Sequence, residues 1–198
     1  MIRRIFDFSN AFIGLLMLIP LFAIAAILIK LDSKGPVFYK SKRVGKNGRI
    51  FNLYKFRSMV VDAEKWQKIT YRNDPRITRI GKLLRRAKID ELPNLINVLK
   101  GDMSLIGPRP EIPHYVDKFT PQYKKILKIR PGITGFAQLR YIDEASQLEA
   151  SNLDQNYINE VLSQKIKLDL EYVEKRSILT DIKILLATFG HIILNIFK

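Results

Sequence analysis

The sequence predicts an α+β protein: one mostly helical domain carrying a small β-hairpin, preceded by a helix-break-helix segment that re-enters a membrane. Three observations carry this prediction. Phe8 to Ile29 contains no charged residue, short β-prone runs flank a turn from Gly45 to Gly48, and apolar residues recur at helical spacing in several later stretches.

The apolar run comes first. Twenty or so helical residues at about 1.5 Å each reach roughly 30 Å, the thickness of a bilayer core. Pro20 falls inside the run, where it removes a backbone hydrogen bond and predicts a kink. Basic residues flank both ends, Arg3 and Arg4 before it and Lys30, Lys34, Lys40, Lys42 and Arg43 after it, whereas a single span leaves one flank poor in them. A bent segment that enters and leaves by one face satisfies both facts. Ala23 and Ala25 also make the pattern of a signal-peptide cleavage site, but cleavage there leaves an apolar stub. Residues 1–34 are therefore expected to form an anchor and residues 35–198 one catalytic domain with interfacial helices.

Within that domain, Gly35-Pro36 makes a turn, Val37 to Tyr39 and Ile50 to Phe56 read as strands, and Val60 to Lys68 as a helix. Ile80 to Lys88 reads as a short basic helix and Pro121 to Lys128 as another. Leu92, Leu95, Ile96 and Leu99 repeat at helical spacing, Pro93 suits a first turn and Gly101 a stop, which predicts a helix from about Glu91 to Lys100 with Asp90 at its N-cap. A carboxylate there is expected to stay ionised, and a phosphate to dock beside it. Val161 to Val173 and Leu179 to Phe197 read as the last helices, the final one apolar enough for a bilayer interface.

Composition narrows the chemistry. The chain has 198 residues, enough for one domain with a real core, no cysteine, and two histidines far apart, His114 and His191. Thiol nucleophiles, disulfides and His-based metal clusters are excluded. Lys and Arg number 34 against 19 Asp and Glu, a net charge of +15, which implies anionic partners: nucleic acid, anionic lipid or phosphorylated substrates. The adjacent acids Asp90 and Glu91 stand against that background, with Arg85, Arg86 and Lys88 before them and Arg109 after, in a stiff Pro-Arg-Pro turn. Two acids in a cationic setting suit a phosphate-handling site better than a nucleic-acid surface, whose backbone they would repel, and no helix-turn-helix or RNA-binding signature is present. A membrane-anchored nucleic-acid-binding protein or a scaffold of polysaccharide assembly is the competing reading.

Three blocks, YKFRSM (Tyr54 to Met59), IDELPNLINVLKGDMSLIGPRP (Ile89 to Pro110) and RPGITGFAQ (Arg130 to Gln138), stand in the order found in the bacterial sugar transferases, the monotopic phosphoglycosyl transferases. The resemblance runs from about Arg3 to the C-terminus. It implies transfer of a phospho-sugar from a UDP-sugar to a polyprenol (undecaprenyl) phosphate with Mg²⁺, releasing UMP, as the first step of a bacterial surface glycan such as lipopolysaccharide. It places the enzyme on the cytoplasmic face of the inner membrane, with membrane lipid and no nucleic acid as partner. It assigns the covalent nucleophile to Asp90, Mg²⁺ to Glu91 with Asp90, and contacts with the donor to Lys55, Arg85, Arg109, Asp169 and Tyr172. Members often carry Ser-Pro at the membrane break where this chain has Ile19-Pro20, so here the bend rests on Pro20. Many also carry an Arg several residues beyond the block-ending Gln; here Ile142 stands near that place, and Arg140 is the candidate.

Overall fold

A computed structural model describes residues 2–142, 144–149 and 151–196. Its first element, α1 (Ile2–Asp32), is one helix with Pro20 inside it, so the expected break does not interrupt the helix. A proline inside a helix loses one hydrogen bond, and α1 is packed on the domain on both sides of it, at Ala11 and at Ala25 and Ile29. Asp7, Ala11, Ala25 and Ile29 are buried at helical spacing on one face, while Ile5, Phe8, Phe12, Leu16, Met17, Ile24 and Ile27 are exposed on the rest. By length and composition α1 is able to cross a membrane.

The hairpin follows. Strand β1 (Phe38–Val44) pairs antiparallel with β2 (Ile50–Phe56), from Phe38 opposite Phe56 to Val44 opposite Ile50. The first strand is longer than expected, because Lys40, Lys42 and Arg43 hide its β character while pairing with the more apolar β2 imposes it. The other edge of β2 is closed by a side chain: Asn97 accepts from the Tyr54 amide at 3.0 Å and donates to the Asn52 carbonyl at 2.7 Å.

Helix α2 (Ala63–Trp66) is shorter than the expected 60–68. Asp62 before it is left-handed, and the Arg76 guanidinium takes the carbonyls of Ala63, Gln67 and Ile69, which ends the helix after one turn. Helix α3 (Arg79–Arg86) starts at Thr78, whose hydroxyl accepts from the Gly81 amide. The acid pair sits in a 3₁₀ turn, Ile89–Glu91, and α4 (Asn94–Lys100) begins only after Pro93. Asp90 is therefore not the N-cap of a helix running from Glu91: the chain enters the turn through a left-handed Lys88 (φ 56°), and Pro93 takes the cap position. Gly101 (φ 86°) closes α4 as expected.

Strand β3 (Ser104–Ile106) pairs in parallel with β4 (Gly132–Thr134), an element the sequence did not announce. The glycines of the last two sequence blocks make it possible, since a Cβ on Gly132 would lie 2.0 Å from the Gly107 nitrogen. Helices α5 (Pro113–Lys118), α6 (Thr120–Ile126), α7 (Phe136–Arg140), α8 (Leu153–Asn156) and α9 (Ser163–Lys175), with a π-helical stretch Tyr157–Leu162, close the main core around Tyr115, Tyr123, Leu148, Leu162 and Ile166. The last helix, α10 (Ile178–Ile196), buries Ile184 against Ile106 and Tyr172 and exposes Leu179, Ile182, Leu186 and Phe189.

Candidate active site

Three segments converge on Glu91. Lys55 comes from β2 and donates from Nζ to Glu91 Oε1 at 2.9 Å. Arg109 comes from the turn after β3 and takes the carboxylate with both terminal nitrogens, Nη1 to Oε2 at 3.0 Å and Nη2 to Oε1. That turn is held in place because Pro108 O accepts from the Gly132 amide at 2.8 Å and Thr134 O from the Gly107 amide at 2.9 Å. The Pro-Arg-Pro turn and the Gly-rich block are thus two halves of one support. Burial alone would push the Glu91 carboxyl up, but Arg109 and Lys55 outweigh it and hold Glu91 well below the usual carboxylate range.

Asp90 is the opposite case. It is 6% exposed, and its Oδ1 is buried without a hydrogen-bond partner. Burial, and then the Glu91 charge beside it, push its carboxyl up against the pull of Lys55, Arg85 and Lys88. The expected support for its charge is what the structure corrects: with Pro93 rather than Asp90 at the cap of α4, Asp90 has no helix N-terminus to hold its charge. Arg85 faces this corner and donates to Thr70 Oγ1 at 3.1 Å, and Lys88 donates to Ile142 O at 2.6 Å.

Asp169 on α9 lies behind Arg109. It is 3% exposed with an unpartnered Oδ1, and burial pushes its carboxyl up to about 8. Tyr172 is a core residue: its hydroxyl donates to Asp181 Oδ1 at 2.7 Å and its ring packs edge-on to Phe136. Its reach toward the site is indirect, through Ile106. Arg140 is exposed at the end of α7 and takes no part in these contacts, and Pro20 lies on the exposed side of α1.

One group escaped the sequence reading. Glu111, two residues after Arg109, is buried against Lys165 Nζ at 3.0 Å, accepts from the Tyr157 hydroxyl at 2.9 Å, and has Arg43 at 3.6 Å. Lys165 also reaches Glu144 at 3.0 Å. The charges of Glu144 and Glu111 act on Arg109 in turn, so this cluster backs the arginine that grips Glu91. The only sequence signal was Lys165 and Asp169 at i and i+4 on one helix face.

A carboxylate saturated by two cations, next to a buried one with a free oxygen, inside a basic corner, is a site for anionic, phosphate-bearing groups. The chain belongs to the bacterial sugar transferase family, whose model matches residues 1–195. It is 42% identical over 194 residues to the undecaprenyl-phosphate glucose phosphotransferase of Komagataeibacter xylinus, covering 94% of this chain and 35% of that protein. It is 39% identical over 198 residues to the exopolysaccharide production protein PSS of Rhizobium leguminosarum bv. phaseoli, covering 94% of this chain and 92% of the relative. A third relative, the UDP-N-acetylgalactosamine-undecaprenyl-phosphate N-acetylgalactosaminephosphotransferase of Aeromonas hydrophila, is 41% identical over 196 residues, covering 97% of this chain and 44% of its own length. The chain spans less than half of the length of the first and third of these relatives.

Proposed function

We propose that the protein is a phosphoglycosyl transferase that moves a phospho-sugar from a UDP-sugar to undecaprenyl phosphate, releasing UMP, through a covalent intermediate on Asp90. The observation that carries this reading is the free, buried Oδ1 of Asp90 beside a Glu91 that is fully engaged by Arg109 and Lys55. Neighbouring carboxylates in such different settings divide two tasks: one oxygen is left for bond formation, and one carboxylate holds the cations in register.

In the first step an Asp90 oxygen attacks the sugar-linked phosphorus, and the P–O bond to UMP breaks, its electron pair leaving with UMP. In the second a phosphate oxygen of the polyprenol attacks the same phosphorus and the Asp90 carboxylate leaves, giving the polyprenyl diphosphate sugar. Lys55, Arg85 and Arg109 bind and orient the diphosphate, and Asp169, its carboxyl pushed up to about 8 by burial, sits within electrostatic reach of Arg109. Mg²⁺ binds through one or two carboxylates and substrate phosphates rather than an all-protein cage, and the Asp90 oxygen not used in the attack would be a donor of that kind. Among the described residues no group of three or more His, Cys, Asp or Glu stands together, which suits a metal shared with the donor. Asp90 would hold it, joined by Glu91 when Arg109 or Lys55 yields an oxygen, and the ion would supply charge neutralisation on the diphosphate.

Membrane attachment follows from α1. Its apolar face is exposed along its length, yet both ends are tied to the same domain: Asp7 accepts from Ser104 and Leu105, and Asp32 accepts from the Ile80 amide at 3.0 Å. A helix so held suits a seat in one leaflet with both flanks on one side, and the basic residues at both flanks support a cytoplasmic face of the inner membrane.

The deciding experiment mixes enzyme, UDP-sugar and Mg²⁺ without acceptor. One equivalent of UMP is expected, with the intact protein heavier by one sugar phosphate, and Asp90→Asn abolishing both. UMP that forms only after acceptor is added, or near wild-type turnover by Asp90→Asn, overturns the covalent reading.

A further inference from the structure

Two side chains in the first two turns of α1 hold the two arms of the site. Arg4 donates to main-chain carbonyls at the end of α4, from Nη2 to Leu99 O at 2.8 Å and from Nη1 to Val98 O. The helix so gripped begins three residues after Glu91. Asp7 is 4% exposed and accepts from the Ser104 hydroxyl at 2.8 Å and the Leu105 amide at 3.0 Å, both on β3. That strand ends three residues before Arg109. Arg4 and Asp7 stand three apart, on one face of α1.

The rest of α1 extends the same contact. Ala11 is fully buried against Val98, and a Cβ on Gly14 would meet the Leu95 side chain at 3.5 Å. Farther along, Ala25 and Ile29 share an apolar cluster with Phe56 and Leu84, and Ile89, the residue before Asp90, packs against that cluster. Helix α4 is therefore packed along the N-terminal half of α1, and the turn before it borders a cluster to which the C-terminal half of α1 contributes. Anchoring alone needs only the outward apolar face.

We propose that Arg4 and Asp7 are positioning residues: by fixing α4 against β3 they set the grip of Arg109 on Glu91, and make the membrane helix a working part of the site. The proposal rests on the reading of Asp90 and Glu91 as the reactive pair. Arg76 serves as an internal control, since Asp74 and three carbonyls hold its guanidinium without any contact from α1.

The test uses full-length enzyme in nanodiscs with ¹⁵N-labelled arginine, the Arg109 signals being assigned with Arg109→Lys. In Arg4→Gln and in Asp7→Ala the Arg109 guanidinium signals should move to those of a freely rotating group while Arg76 is unchanged. Single-turnover UMP release without acceptor should slow at least tenfold in its limiting rate constant, with the half-saturating donor concentration within threefold. Arg4→Lys and Asp7→Asn should give intermediate values, and Asn10→Ala, on the exposed side of α1, the wild-type result. Arg109 signals and rates within twofold of wild type in both severe variants overturn the proposal. Should those variants unfold and lose Arg76 as well, the milder pair decides: a loosened Arg109 beside an intact Arg76 supports positioning, and a wild-type Arg109 refutes it. A wild-type enzyme that releases no UMP sinks the proposed activity, and the arginine spectra still decide the positioning.

Discussion

Lys165→Met removes the cation at the centre of the buried cluster behind Arg109. Lys165 is 3% exposed and Glu111 6%. The substitution keeps the length of the side chain and strips three contacts at 3.0 Å, to Glu111, Glu144 and the Tyr157 hydroxyl. Glu144 is 28% exposed and turns to water at little cost, so the loss falls on Glu111, left with Tyr157 and with Arg43 at 3.6 Å. Leaving one buried charge of a pair without its partner costs about 3–5 kcal/mol, and the remaining contacts place this case near 3. For a chain of this size that lowers Tm by about 6–12 °C.

The sign with pH follows from Glu111, whose carboxyl Lys165 and Arg43 hold down at about 2 against the upward push of burial. Its stabilisation is present above the unfolded value near 4.5 and is lost as pH falls toward 2, so wild type and variant should converge on acidification. Denaturant unfolding in detergent, at pH 7 and at pH 3.5, measures both effects. Lys165→Met combined with Glu111→Leu should recover at least half the loss, because an apolar pair needs no compensation. A loss under about 1 kcal/mol at pH 7, or a double variant no better than the single, refutes the view of this cluster as a desolvated ion pair.

Two further outcomes are expected. Asp169, raised from 3.8 to about 8 by burial, binds a proton in the folded state that the unfolded chain releases, so it erodes stability as pH rises from about 4 to 8. Asp169→Asn should therefore gain on wild type across that window, by roughly 5 kcal/mol at its end, and parallel unfolding curves would show that Asp169 titrates normally. Gly132→Ala puts a methyl 2.0 Å from the Gly107 nitrogen, which no rotamer relieves, so β3 and β4 must separate and carry the Arg109 turn with them. A loss of at least about 3 kcal/mol is expected in the same assay, and a variant within 1 kcal/mol of wild type would mean that the crossing adjusts freely.

What the sequence showed depended on how local the signal was. The apolar run, the hairpin turn and the ends of α3, α6 and α10 were legible because period, proline and glycine act within a few residues. Asp90 was misplaced because a left-handed Lys88 has no residue-type signature, and because Pro93 serves a first turn or a cap equally well. Lys55 and Arg109 stood out through their sequence blocks as contacts for the donor, but not as partners of Glu91, from which they stand 36 and 18 positions away. Lys165 and Glu111 stand 54 positions apart, and nothing in spacing joins a lysine on one helix to an acid in a turn. Asn97 is hidden for the same reason: its place on the strand edge at Asn52 and Tyr54 exists only once β2 lies against α4.

The difference between Asp90 and Glu91 is a property of the three segments around them more than of the residues. Both are acids in one 3₁₀ turn, about 110–120° apart around its axis. One direction meets β2 and the turn after β3, which deliver Lys55 and Arg109; the other meets the corner of α3, where Arg85 and Lys88 donate to Thr70 and Ile142 rather than to Asp90. A longer, α-helical turn would supply main-chain amides to Asp90 and hold its charge, but would also occupy the oxygen that the proposed covalent step needs. The tight turn behind the left-handed Lys88 leaves one Asp90 oxygen buried and unbonded beside the cations that Glu91 gathers, which is the arrangement the proposed nucleophile requires.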